Sequence, residues 1–282
     1  MECRITVLCD NTVLGLGFLG EHGFAALVEI PGQKILFDTG QGFALIQNSM
    51  RLKKDLKDVS KVVLSHGHTD HVGGLAAFLA VKGACPVVAH PEVFSERFRL
   101  IPAGDGQQKP LFNGMPWPEL YLTTRGATFD WRRDFTEIAP NVFITGEVPR
   151  KTLFELGSPK LVVSRNGSFV QDPFLDDFSL VLKTSRGLVV VLGCAHAGIV
   201  NILNHAIEKT GEKRVYAVLG GTHLGLSPEG QLNPSIEALK ELNIQKLAVS
   251  HCTGQAAMAR LAYEFGDGFA FGCVGFVLEV VS

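Results

Sequence analysis

Four short apolar runs in this chain end in a histidine, and that recurrence restricts the fold more than any other feature. Lys61-Val62-Val63-Leu64 runs through Ser65 into His66. Residues 188–193 lead into Cys194-Ala195-His196, residues 215–219 into Gly220-Gly221-Thr222-His223, and residues 246–250 into His251. Uninterrupted runs of Val, Leu and Ala of this length read as strands buried on both faces, as parallel sheets require. Helical stretches follow at 75–79, 200–209 and 256–265. The rhythm predicts an α/β chain, whose sheets hold ligands at the carboxyl ends of their strands. Two β units packed face to face, with helices outside, would bring these ends into one cleft.

The densest stretch is Ser65-His66-Gly67-His68-Thr69-Asp70-His71, with three of the chain's nine histidines and a carboxylate. Imidazole with carboxylate suits zinc, iron or manganese. His66 and His68 can point the same way from an extended loop, while Asp70 and His71 follow the bend and can face a second ion. An incidental polar loop does not gather four ligand-type residues in six positions. His196 and His251 are the candidate distant ligands, and His223 is a further one. His205 falls inside a helix and reads as structural. His22 lies in a loop of turn-forming glycines, and His90, before Pro91, fits the site or an ordinary loop. Asp38 ends the strand Lys34-Ile35-Leu36-Phe37 as a turn-former or as an orienting carboxylate.

With 46% hydrophobic residues in 282, the chain can bury a sizeable core. Its 26 basic and 28 acidic residues form no run of like charge, so there is no footprint for nucleic acid or for an anionic membrane. No apolar stretch nears the roughly 18 residues that span a bilayer, and the first apolar run is too short for a signal peptide. The six scattered cysteines include no C-x-x-C pair and match reduced thiols. The expectation is a cytoplasmic protein with a small-molecule substrate. Residues 41–58 suit a helix. Residues 92–135, broken by prolines and glycines but rich in aromatics, read as a lid, a pocket wall or a covering loop. Arg150 and Lys151 are anion clamps or exposed loop charges.

His66-x-His68-x-Asp70-His71 resembles the metal signature of the metallo-β-lactamase superfamily. Leu36-Phe37-Asp38-Thr39-Gly40 resembles its upstream Asp motif, and His251 its final histidine. Over the whole chain the resemblance implies one α/β domain, residues 1–282. That domain would be a four-layer αββα sandwich with β halves of roughly 1–135 and 136–282 and a dinuclear cleft at one edge. More narrowly, Glu21-His22-Gly23, Thr145-Gly146-Glu147-Val148-Pro149-Arg150, Asp176-Asp177-Phe178-Ser179-Leu180 and Gly193-Cys194-Ala195-His196-Ala197-Gly198 resemble the dihydropteroate-synthase-like subfamily. Its namesake joins a dihydropterin-methyl diphosphate to an aminobenzene ribofuranosyl phosphate. Two positions depart from the superfamily pattern. Cys194 stands where a bridging Asp is usual, and Asp176 and Asp177 stand where a His is usual.

The implied ligand sets are His66, His68 and His196 for one ion, and Asp70, His71 and His251 for a second. Asp38, Asp177, Cys194 and His223 are further ligands or orienters. One or two divalent ions are expected, zinc first, with iron or manganese as alternatives. The leading expectation is a hydrolase acting on a small phosphorylated or ester substrate. Metal lowers the pKa of bound water from about 15.7 to roughly 7, and Asp70 would orient the resulting hydroxide or pass a proton. The alternative is a transferase condensing a dihydropterin-methyl diphosphate with an arylamine, where residues 92–135 would exclude water and stack on a pterin. A third reading is a non-catalytic metal-binding sensor.

Overall fold

The computed structural model describes residues 1–104, 106–227 and 230–281. The first part contains β1 (Cys3–Cys9), β2 (Ala25–Ile30), β3 (Gln33–Phe37), α1 (Leu45–Arg51), β4 (Lys61–Val63), α2 (Thr69–Val72), α3 (Leu75–Lys82) and β5 (Cys85–Ala89). It continues through β6 (Arg97–Pro102), β7 (Gln108–Phe112), α4 (Glu119–Thr124), β8 (Ala127–Trp131), β9 (Thr136–Ala139), β10 (Val142–Ile144), β11 (Leu161–Arg165) and β12 (Ser168–Gln171). The remainder is β13 (Ser179–Thr184), β14 (Gly187–Leu192), α5 (Ile199–Thr210), β15 (Val215–Gly221), α6 (Leu232–Glu241), β16 (Lys246–Ser250), α7 (Gln255–Phe265), β17 (Phe269–Phe271) and β18 (Val277–Val280).

Two seven-stranded sheets result, ordered β18-β1-β2-β3-β4-β5-β8 and β17-β16-β15-β14-β13-β10-β9. The pairs from β3 to β8, and those from β14 to β17, are parallel. β14 shows why its run is apolar throughout. Val189 and Val191 enter the layer between the sheets with Val7, Phe37 and Leu180. Leu188, Val190 and Leu192 pack instead with Ile202, Leu203 and Leu261 of α5 and α7. On the far side, Leu36 and Val62 meet Leu45, Phe78 and Leu79 of α1 and α3. The layers are therefore helix, sheet, sheet, helix, the αββα sandwich that was predicted. Each fully buried Val or Leu is worth about 1.5–3 kcal/mol, which leaves polar residues to the strand ends.

Three segments differ from the reading of the sequence. The helix predicted over 41–58 shrinks to α1. The Glu21 carboxylate accepts hydrogen bonds from the Gln41, Phe43 and Ala44 N–H groups at 3.1, 2.8 and 3.2 Å, holding those residues in a loop. Lys53, at φ 55°, follows the helix's end. Residues 92–135 hold α4 and three strands, not irregular chain. β6 and β7 join β11 and β12 in a third sheet of order β12-β11-β6-β7. The division near residue 135 is also crossed by β18, which pairs with β1 in the first sheet. Among the described residues no helix is long and apolar enough to cross a membrane.

Candidate metal centre

The loop after β4 begins extended and then closes into the single turn α2, so His66 and His68 precede the turn while Asp70 and His71 lie within it. A buried ion-pair network holds it in place. Arg97 donates to Asp172 at 2.6 Å and to Asp176 at 2.7 Å, and Asp176 accepts from the Gly67 N–H at 2.8 Å. A Cβ at Gly67 would overlap the Val93 carbonyl and the Arg97 guanidinium, so only glycine fits between the two histidines. Five residues around the site, Asp38, Phe174, Ala195, His223 and His251, have φ between 48° and 58°. Left-handed backbone of this kind costs on the order of 1–3 kcal/mol outside glycine, and it collects at functional sites.

Two clusters form beside one another. In the first, His66 Nε2 is 3.0 Å from His68 Nδ1, and the His196 ring lies 4.8 and 5.0 Å from theirs. One ligand atom from each of the three falls within 4.8 Å of the others. His196 Nε2 is buried and has no hydrogen-bond partner among the described residues. Burial above all holds these three imidazoles well below the usual histidine range, in the neutral form that ligates metal. In the second cluster, His71 Nε2 and His251 Nε2 are 3.1 Å apart, with Asp70 Oδ2 3.8 and 3.3 Å from them.

The hydrogen bonds fix which nitrogens are bare. Asp38 accepts from the Ser65 N–H and Oγ–H, each at 2.7 Å. Ser65 Oγ, whose proton points to Asp38, accepts from His66 Nδ1 at 2.8 Å. Asp38 also accepts from His71 Nδ1 at 2.7 Å. Across the site, the Gly23 N–H identifies the Asn11 oxygen at 3.1 Å, and that oxygen accepts from His251 Nδ1 at 2.9 Å. Neutral His66 and His251 therefore present an unprotonated Nε2 inward, and His71 does so once it gives up its second proton. Lone pairs facing one another beside a carboxylate are the surroundings of a cation. Burial opposes charge on His71, yet the Asp38 and Asp70 carboxylates raise it to about 9, so its Nε2 carries a proton at neutral pH that a bound cation would displace. The residues fit divalent ions at both clusters. Asp38→Asn should weaken zinc binding roughly 10–100-fold, read by competition with a chromophoric chelator; unchanged affinity would remove Asp38 from this role.

Over the clusters lies a cavity of about 270 Å³, lined by His22, Asp70, His196 and His251 from the strand-end loops and by Arg99 and Lys160 from the third sheet and its approach. The sequence profile of the metallo-β-lactamase superfamily matches residues 20–145. The 7,8-dihydropterin-6-methyl-4-(β-D-ribofuranosyl)-aminobenzene-5'-phosphate synthase of Methanocaldococcus jannaschii is 32% identical over 268 residues, 89% of this chain and 87% of that protein. This chain belongs to the metallo-β-lactamase superfamily. Tm1679, a metal-dependent hydrolase of the β-lactamase superfamily, matches at TM-score 0.84 and 32% identity over 99% of this chain and 100% of its own. A diphosphatase of the PhnP family shares the fold, at TM-score 0.58 and 13% identity over 99% and 98%.

In this metallo-β-lactamase superfamily member, Cys194 Sγ sits 3.1 Å from His71 Nε2 and groups with His66 and His71, and also with His251 and Cys252. Burial pushes its thiol well above the usual range, so a nearby cation is what would make it a thiolate. Asp177 braces the loop of His196: its Oδ2 accepts from the Ala197 N–H at 2.8 Å, and burial raises it to about 6. The His223 ring stands 4.6 Å from His196 and outside the ligand groups. Asp38 orients the His71 ring directly and the His66 ring through Ser65.

Arg150 and Lys151 are not clamps of this cavity. Arg150 donates to the His196 and Pro173 carbonyls at 2.7 and 3.1 Å, because strand-end loops leave carbonyls in need of donors. Lys151 pairs with Glu208 at the surface. His205 donates to the Thr145 carbonyl, and His90 bonds Glu147 away from the clusters.

The sequence leaves His22 undecided and gives no reading of Asn11 or Asp10, and all three contribute. His22 Nε2 is 3.2 Å from Asp70 Oδ2. Asn11 donates to His22 Nδ1 at 3.0 Å, so the His22 proton sits on Nε2 and faces Asp70. Asp10 accepts from the His251 N–H at 2.8 Å. Asp10-Asn11 follows β1 directly, the same signal of polar residues after an apolar run that marked the histidines.

Proposed function

We propose that this protein is a divalent-metal-dependent transferase, using zinc, that joins an arylamine to a methylene carbon activated by a diphosphate on a pterin-like ring. The observation that carries this reading is the similarity to the M. jannaschii synthase along nearly the full length of both chains. In the reaction the amine nitrogen bonds to the methylene carbon, the C–O bond to diphosphate breaks with its electron pair leaving on the diphosphate, and the nitrogen gives up a proton. Divalent ions at the clusters would supply positive charge to the departing diphosphate. Imidazole and thiol donors favour zinc among such ions. The chain's own part is orientation. Asp38 and Asn11 set the rings of the ligand histidines, and His22 holds a proton at Nε2 against Asp70, beside the cavity.

Zinc-loaded protein incubated with a dihydropterin-methyl diphosphate and an aminobenzene ribosyl phosphate should give the condensed product, with one diphosphate released per turnover. Chelation should abolish the product and zinc should restore it, as followed by mass spectrometry. No condensed product would sink this reading for that pair. A second reading, hydrolysis of the same class of ester, draws on the similarity to Tm1679. It predicts diphosphate release with water, not the amine, in the product.

A further inference from the structure

Strand β6 buries one arginine and turns another to the cavity. β6 alternates Arg97, Phe98 and Arg99, so both arginines share the face opposite Phe98. Phe98 packs with Phe112 and Phe169, ring centroids 5.5 and 5.0 Å away, and those two are each about half exposed. Asp172 and Asp176 neutralise Arg97.

Arg99 has no such partner. It lines the cavity with Lys160, the residue before Leu161, which lies opposite Arg99 in the β6–β11 ladder. Among the described residues neither cation has a carboxylate within ion-pair distance, and the one acidic side chain of the cavity lining, Asp70, is engaged by His22 and His251. Among the neutral donors of the lining are the Ser158 hydroxyl and the His223 ring. His223 holds a left-handed φ of 55°, and its ring nitrogens have no hydrogen-bond partner among the described residues.

We propose that Arg99 and Lys160, with Ser158 and His223, form a subsite for a phosphomonoester that stays on the substrate while bonds change over the metal clusters. A guanidinium and an ammonium match a dianion in charge, and guanidinium presents paired N–H groups to phosphate oxygens. The subsite rests on reading the cavity as the active site of the transferase proposed above. It replaces Arg150 and Lys151 as the anion clamp.

The test is calorimetric titration of zinc-loaded protein with ribose 5-phosphate, a phosphomonoester on a neutral body, with ribose as the uncharged control. Arg99→Ala with Lys160→Ala should weaken ribose 5-phosphate binding at least tenfold at unchanged zinc content, and Arg99→Glu alone should weaken it further than Arg99→Ala. Lys213→Ala, which removes an exposed charge outside the cavity, should leave it as it is. Both targets are exposed, so the fold should tolerate these changes, as thermal melting will verify. Binding within twofold of the parent in the double variant, or an equal loss in Lys213→Ala, overturns the subsite. If transfer proceeds with unchanged KM for the phosphorylated acceptor in the double variant, the subsite fails and the transferase stands. If binding depends on Arg99 and Lys160 while no transfer occurs, the transferase fails and the subsite stands.

Discussion

His196→Ala should yield a folded protein that has lost one of two bound ions and at least about 10³-fold in turnover. The size follows from the role assigned to the ring: three neutral imidazoles converge in the first cluster, and two histidines alone make a weak, open site. The substitution isolates the metal from the fold. His196 Nε2 has no hydrogen-bond partner among the described residues, so removing it strands no buried group. The packing loss is confined mainly to its stack on Phe174, centroids 3.9 Å apart and planes 14° from parallel. Metal analysis beside thermal melting of chelated parent and variant would separate the two effects. Two ions per chain with undiminished turnover would remove His196 from the centre.

Arg97→Met should be the most costly single change for stability, about 3–5 kcal/mol. It leaves Asp172 and Asp176 buried without their counter-charge, and Asp176 is the group that holds the Gly67 N–H between two ligands. The loss depends on pH in a definite direction. Burial raises Asp176 to about 7 even beside Arg97. A carboxyl whose folded pKa lies above its unfolded value favours the fold at low pH, and that contribution fades as pH rises through the folded pKa. Without Arg97 the folded pKa rises further. The deficit should therefore be larger at pH 8 than at pH 6, measured by denaturant unfolding at both. A loss under about 1 kcal/mol at pH 8 would contradict the buried-network account.

Where the chain obeys local rules, its structure was legible. The apolar runs of β4, β14, β15 and β16 forecast strands buried on both faces, and the histidines after them forecast one cluster of ends. The same rule applied to β1 would have found Asp10 and Asn11. Other features depend on contacts that no window of sequence contains. β6 pairs with β11 from far along the chain, and its run Arg97-Phe98-Arg99 buries an arginine, which no local pattern signals. Arg150 follows a strand end as an anion clamp would, yet two carbonyls from distant loops claim its guanidinium. The protonation pattern of the ligand rings emerges only when Asn11, Gly23 and His251 meet.

The pairing of β18 with β1, together with the grip of Asp10 and Asn11 on His251, bears on how the protein is born. Synthesis is directional, and segments emerging early must wait for late partners. His66, His68, Asp70 and His71 leave the ribosome long before His196, and His251 comes later still. Neither cluster can close on the emerging chain until its last ligand arrives, and the strand that seals β1 follows after that. The second cluster thus gains its last ligand, His251, well after the first has gained His196.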